Sequence, residues 1–325
     1  MSKSPLSSYY GIVWGSISHA EERIPHMKSN IKISMLGGDL RQLAVAQRLS
    51  ERYDNIDLWG LVTSAPFTAD GVRVASSLSE SVKDADVILL PLPASVDGVT
   101  LNAPLAEVSE RVRLSAVAER AREGALLIGG RIPESLVGLA ERGGVSVRDY
   151  FESEDFQIKN AYTTAEAALS IAMNSLDKNI RGSRVAITGY GRIAKHLCSL
   201  LMSIGARVTV AARRQSDLSF AESLGCETKR IVEGADWWRA LAHGYDVIYN
   251  TVPSWIFGRE FLSCVDKNTF IVDLASAPGG IDIRAAKELG SNVSWATSLP
   301  GKYAPRSAGE IIASCVERII EEAGL

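Results

Sequence analysis

From residue 31 onward, short apolar runs alternate with helix-length segments whose apolar residues recur every three or four positions. That alternation constrains the chain more than any other feature, because parallel strands can be joined only by long crossovers, usually helices. The series occurs twice. The first set of predicted strands covers 31–36, 56–62, 86–90, 125–128 and 145–147, with Leu40, Leu43, Ala44, Ala46 and Leu49 forming a helical stripe after the first of them. The second set covers 184–188, 206–212, 245–251, 269–274 and 293–296. The expected fold class is α/β, with two open parallel-sheet, Rossmann-like domains and a cleft between them. Residues 1–30 read as a loosely ordered extension, 31–150 as a substrate-side domain, and 151–180 as a linker whose Ala-rich part, 165–176, is an interdomain helix. Residues 181–304 read as the nucleotide-binding domain, and 305–325 as a C-terminal helix packing back on the first domain.

Composition excludes several classes. A chain of 325 residues with 46% apolar and 22% charged residues can bury two cores without covalent staples. The formal charge of -3, with no basic stripe, argues for a small-molecule ligand and against nucleic acid. The apolar stretch 9–17 is interrupted by Gly11 and Gly15 and followed by Glu21, Glu22 and Arg23, so it does not read as a signal peptide. No segment approaches a membrane span, and a cytoplasmic protein is expected. Cys198, Cys226, Cys264 and Cys315 are scattered without a CxxC pair, which suggests buried thiols rather than a metal or dithiol centre. Of the four histidines, His19 and His26 lie in the extension, His196 lies inside a predicted helix, and none follows His243. A D-2-hydroxyacid dehydrogenase would be expected to place an acid–base histidine late in the chain. There is no HExxH and no GxSxG.

The strongest local signal is the strand 184–188 running into Gly189-Tyr190-Gly191-Arg192-Ile193-Ala194 and then a helix. A GxGxxA turn in that setting lets the backbone approach a pyrophosphate, which then rests on the helix N-terminus. The plainer reading is a glycine connector. At the tip of the next strand, Ala211-Ala212-Arg213-Arg214 carries no acid to hold ribose hydroxyls and offers two guanidiniums to a 2'-phosphate. NADP is therefore favoured over NAD, with solvated arginines as the alternative. The later turns Asn250-Thr251-Val252-Pro253-Ser254 and Asp273-Leu274-Ala275-Ser276 lie on the same strand ends. Thr251, Pro253, Ala275 and Ser276 are taken as cofactor-side residues, although each turn alone could be Pro/Gly punctuation. In the first domain Asp39 either caps a helix or acts as an acid–base group, and Arg41 could clamp a carboxylate. Lys302 and Arg306 add positive charge in a turn before the last helix, which fits a small anionic substrate.

Seven ordered motifs carry a family likeness: Gly37-Gly38-Asp39-Leu40-Arg41-Gln42, Pro91-Leu92-Pro93-Ala94-Ser95, the glycine turn, Ala212-Arg213, the Asn250 and Asp273 turns, and Leu299-Pro300-Gly301 with Ala304-Pro305. Together they resemble the dipicolinate synthase A-subunit family from residue 31 to the C-terminus, departing at 160–167. The resemblance implies NADP-linked oxidation of a cyclic dicarboxylic imine, 4-hydroxytetrahydrodipicolinate or its dehydrated form, to dipicolinate. It also implies a partner, the flavin-binding B-subunit of dipicolinate synthase, and the mother cell of a sporulating bacterium as setting. A homo-oligomer is compatible with it. In that scheme Arg41 and Arg306 clamp carboxylates, Asp39 is the acid–base candidate, and Ser254 and Ser276 lie near the nicotinamide. Two alternatives stay open: another NADP-linked dehydrogenase of the same architecture, or a non-catalytic cofactor-binding protein that supports the B-subunit.

Overall fold

The computed structural model describes residues 29–61, 67–106, 111–234 and 236–325. The predicted extension, with its two histidines, lies almost wholly outside the described residues, as does Val62 at the end of the second predicted strand. The chain divides into two compact units: residues up to 152 together with 312–325, and residues 153–311.

In the first unit the order is β1 (Ser29–Leu36), α1 (Leu40–Leu49), β2 (Tyr53–Trp59), β3 (Val72–Val74), α2 (Leu78–Val82), β4 (Val87–Leu89), α3 (Leu114–Ala118), β5 (Leu126–Gly129), α4 (Glu134–Arg142) and β6 (Ser146–Asp149). The second contains α5 (Glu154–Ser175), β7 (Arg184–Thr188), α6 (Arg192–Ser203), β8 (Arg207–Ala212), α7 (Gln215–Ser223), β9 (Glu227–Arg230), β10 (Val247–Asn250), α8 (Arg259–Cys264), β11 (Phe270–Asp273), α9 (Ile283–Leu289), β12 (Val293–Trp295) and α10 (Leu299–Tyr303). The last helix, α11 (Pro305–Glu322), begins in the second unit, and its residues from 312 onward count with the first. There Glu317 and Glu321 pair with Arg48 and Arg52 at 3.3 and 2.8 Å.

Each unit holds one six-stranded sheet, ordered β3-β2-β1-β4-β5-β6 and β9-β8-β7-β10-β11-β12, and all pairings are parallel. These are Rossmann-like doubly wound sheets, in which order reverses between the first and fourth strands and leaves a crevice beyond their carboxyl ends. Parallel sheets bury both faces, so central strands read as continuous apolar runs. Strands β4, β5, β10 and β11 are buried at every position. In β7 the pleat sends Val185 and Ile187 into a core with α5 and α6, built on Ala165, Leu197 and Leu201, while Ala186 faces a second core around Phe257 and Phe261. Those two rings stack with centroids 4.1 Å apart. Each large apolar side chain so buried contributes about 1.5–3 kcal/mol.

Three features differ from the sequence expectation. Each sheet gains an edge strand, β3 and β9, whose residues are mostly exposed and so lack an apolar run. The second strand begins at Tyr53 and carries a fully buried Asp57, which pairs with Lys32 at 3.3 Å and accepts from Arg73 Nη2 at 2.8 Å. Finally, the supposed linker before residue 165 is the first half of α5, one continuous helix of 22 residues. Its apolar pattern is blurred because Phe156, Ala161, Thr163, Thr164, Ala165, Ala167, Ala168 and Ala172 are buried around much of its circumference. Thr163 and Thr164 bond back to the carbonyls of Lys159 and Asn160, so their hydroxyls do not interrupt it.

Candidate functional site

The switch point of the second sheet lies between β7 and β10, and a buried polar network fixes the turns that leave it. Thr188 Oγ1 donates to Asn250 Oδ1 at 2.7 Å, and Asn250 Nδ2 donates to Asp273 Oδ1 at 2.8 Å. Thus the last residues of β7, β10 and β11, all fully buried, form one chain of hydrogen bonds. Asp273 also accepts from the backbone N–H groups of Ala275 at 3.1 Å and Gly280 at 2.9 Å, and Asn250 Oδ1 accepts from Val252 N at 3.1 Å. A buried carboxylate is tolerated only when its lone pairs are filled, and here three donors fill them. The sequence reading used Asn250 and Asp273 only as the first residues of two turns. Their role as the brace beneath those turns has no sequence signal beyond two polar residues at strand ends.

The two glycines of the β7–α6 turn are glycines for different reasons. Gly189 has φ of 86°, and a Cβ there would lie 2.6 Å from Thr251 Oγ1 and 2.9 Å from Val252 Cγ2. Thr251 is held in turn by its hydroxyl, which donates to Thr188 O at 2.8 Å. The fold itself therefore demands Gly189. Gly191 is different: it is the N-cap of α6 with φ of -82° and no side-chain cap, and a Cβ placed on it meets nothing within 4 Å. Nothing among the described residues requires a glycine there. Bare backbone at the head of a helix, with open space above it, leaves the first-turn N–H groups for an external anion.

Around this point the structure places the other sequence-assigned residues as follows. The Tyr190 side chain is 4% exposed, lies in the core beside Phe220, and its burial pushes the phenol up to about 12. What Tyr190 offers a ligand at the turn is therefore its backbone. Arg192 is exposed and forms a two-pronged pair with Glu154, its Nε reaching Oε1 at 2.9 Å, so it is already neutralised. Ile193 is half-buried behind it. Arg214 precedes α7 and binds Asp217 at 2.8 Å, whereas Arg213 is exposed and has no ion pair or hydrogen bond among the described residues. Thr251 is half-buried, Pro253, Ser254 and Ser276 are exposed, and Ala275 is buried under Trp295, whose Nε1 donates to its carbonyl at 3.2 Å. Arg306 is exposed and bound to Glu310 at 3.0 Å, one turn on in its own helix.

The first unit has a polar arrangement at its own switch point. Asp39 caps α1 by accepting from Arg41 N at 3.0 Å, and the same carboxylate accepts Nε and Nη2 of the Arg41 guanidinium, at 2.9 and 2.8 Å. Arg41, 8% exposed, also donates Nη2 to Leu92 O, which lies beyond β4. It thereby bridges the turns after β1 and β4. Its Nη1 carries no hydrogen bond among the described residues. Capping and acid–base roles for Asp39 thus sit on one carboxylate already bound to a guanidinium. The following loop is fixed by Asn102, whose Nδ2 donates to Pro93 O at 2.9 Å, and by Asp97. Hydrogen bonds from the Thr100 hydroxyl, the Thr100 and Val99 amides and the Ser95 hydroxyl hold the Asp97 carboxyl well below the usual range. No cluster of three His, Cys, Asp or Glu suited to a metal exists among the described residues, and no helix of theirs is long and apolar enough to cross a membrane.

Comparison with known proteins agrees with this architecture. Residues 32–151 match the family model described as the N-terminal domain of the dipicolinate synthase A-subunit. The chain is 29% identical over 298 residues to the dipicolinate synthase A-subunit of Bacillus subtilis, covering 91% of this chain and 98% of that protein. The crystal structure of that B. subtilis protein superposes with a TM-score of 0.79 at 28% identity, covering 92% of this chain and 98% of that one. The A-subunit from Bacillus halodurans gives 0.80 at 26% identity, covering 90% and 99%. A transhydrogenase from Sinorhizobium meliloti shares the fold, with a TM-score of 0.63 at 16% identity over 90% of this chain and 94% of that one.

Proposed function

The chain belongs to the dipicolinate synthase A-subunit family, and from that premise we propose that it oxidises a cyclic dicarboxylic imine to dipicolinate with a nicotinamide dinucleotide, NADP in preference to NAD. The observation that carries the reading is the bare helix head at Gly191: its backbone is open to solvent, and none of the described residues explains the glycine. When bound, the nicotinamide accepts a hydride from the ring carbon being oxidised. The chain's own residues bind and orient. The α6 amides take the pyrophosphate, and Arg213, a guanidinium without a partner among the described residues, takes a 2'-phosphate. Thr251, Pro253, Ala275 and Ser276 form the backbone wall on which the nicotinamide ribose rests, on turns braced by the Thr188-Asn250-Asp273 network.

For the substrate, Arg41 is the first unit's candidate carboxylate clamp: its Nε and Nη2 are occupied, and its Nη1, without a hydrogen bond among the described residues, offers two N–H donors to an incoming anion. Arg306 and Ser254 are the second unit's candidates, Arg306 after exchanging Glu310 for the ligand. Loss of water from 4-hydroxytetrahydrodipicolinate followed by loss of a hydride and a proton gives the aromatic ring, so aromatisation drives the sequence. Asp39, hydrogen-bonded to Arg41, is the acid–base candidate for the released proton in this reading. The B-subunit of the synthase is the expected partner.

The test is direct. Purified chain, NADP+ and freshly generated 4-hydroxytetrahydrodipicolinate are mixed with and without the B-subunit while absorbance of the pyridine ring is followed. Ring formation that needs this chain and NADP+ supports the proposal. If the B-subunit on its own is as fast, and Gly191→Asp leaves the rate of the pair unchanged, the chain has only a supporting role and the catalytic assignment falls.

A further inference from the structure

Cys198 and Cys226 are 28 residues apart in sequence, yet their sulfurs lie 3.1 Å from each other inside the second unit. Cys198 stands on α6 and Cys226 immediately precedes β9, so the fold brings helix and edge strand together at this point. Met202 Sδ is 3.6 Å from Cys226 Sγ, which leaves the pair in a sulfur-rich pocket of the core that also holds Tyr190. A disulfide requires a separation of about 2.05 Å, so an approach of roughly 1 Å would bond them. The two sulfurs differ in access: Cys198 is fully buried, whereas Cys226 is 6% exposed and follows Gly225 in a turn. They differ in acidity as well. The hydrogen bond between them holds Cys226 below the ordinary thiol value, while Cys198 is pushed up by the same contact and by burial.

We propose that Cys198 and Cys226 are a modification site, a dithiol that a hydroperoxide converts to a reversible disulfide. The Cys226 thiolate attacks the peroxide, the O–O bond breaks, and an alkoxide leaves to take up a proton, so Cys226 becomes a sulfenic acid. The Cys198 sulfur then attacks the sulfenyl sulfur. The S–S bond forms, the S–O bond breaks, and the hydroxide departs with the Cys198 proton as water. Two thiols lose two electrons to one hydroperoxide, which ends as an alcohol and water. The resulting covalent loop encloses β8 and α7, including the β8 tip that carries Arg213 and Arg214. Cross-linking a loop of this length restricts the unfolded chain and raises stability.

The experiment uses the full chain carrying Cys264→Ser, which removes the exposed thiol, with hydrogen peroxide as the oxidant. The expected product is lighter by two hydrogen atoms. Peptide mapping joins the Cys198 and Cys226 peptides, dithiothreitol reverses the change, and the thermal midpoint of the oxidised form rises by about 5 °C. In Cys198→Ala the oxidation stops on Cys226 with added oxygen. Retained oxygen on Cys226 or Met202 in the Cys264→Ser protein, a linkage through Cys315, or two unreacted thiols would each overturn the proposal. If Cys198→Ala does not fold, the peptide map of the Cys264→Ser protein decides alone.

Discussion

Replacing each glycine of the β7–α6 turn by alanine separates what the fold needs from what a ligand needs. At position 189 the new methyl group would stand 2.6 Å from Thr251 Oγ1, and φ of 86° puts an L-residue in the left-handed region. The backbone term is about 1–2 kcal/mol. Moving Thr251 aside also gives up its hydrogen bond to Thr188 O, about 0.5–1.5 kcal/mol. Together these come to roughly 2–3 kcal/mol, which for a unit of this size lowers the thermal midpoint by about 5–10 °C. At position 191 the methyl group meets nothing within 4 Å and φ is -82°. Its structural cost is an N-cap preference of a few tenths of a kcal/mol to about 1 kcal/mol, or about 2 °C. Its functional cost is large, because the methyl group occupies the space a pyrophosphate would enter. Dinucleotide affinity measured by calorimetry should fall about tenfold or more in Gly191→Ala, with the melting curve nearly unmoved. A Gly191→Ala protein that melts as early as Gly189→Ala, or binds the dinucleotide as tightly as the parent, would refute the division of labour.

Further outcomes follow from the same geometry. Asp273→Asn puts an amide before three donors in a fully buried site and should cost about 2–4 kcal/mol, read as an earlier thermal transition. Arg213→Ala should weaken NADP+ binding about tenfold and leave NAD+ unchanged, while Arg214→Ala, whose side chain is engaged by Asp217, should have the smaller effect. Thr100→Val removes the largest cause of the lowered Asp97 pKa, so carboxyl NMR should show that group titrating higher. Because the folded value is the depressed one, the Asp97 carboxylate supports its loop throughout the neutral range. That support is lost only as the pH falls below 3.8, its ordinary value, toward the folded value.

The sequence made the central strands legible and hid the edges, for a physical reason. A strand buried on both faces must be apolar throughout, as Val247–Asn250 nearly is, whereas β3 and β9 meet water and read as loop. Asp57 falls inside the predicted strand 56–62, but what makes a charge acceptable there is not local: Lys32 and Arg73 come from neighbouring strands that no sequence pattern joins to it. At the site, the glycine turn was visible as a motif, but the distinction between Gly189 and Gly191 depends on where Thr251 lies, 62 residues after Gly189 in sequence. Tyr190 sits within the motif, and only packing shows that its ring turns inward, leaving its backbone to the turn. The two cysteines were read as isolated because spacing carries no information about sulfurs brought together by a helix and a distant strand.

The Asp39 carboxylate at the head of α1, neutralised by Arg41, means that this helix carries its own counter-ion as part of the polypeptide. No dissolved phosphate can compete with a group tethered at that effective concentration. On the proposed reading the head of α6 waits for a solute, so residues 153–311 draw part of their stability from the surrounding dinucleotide pool, as mass action requires. Starving the protein of its coenzyme would then register as heat sensitivity in that portion of the chain.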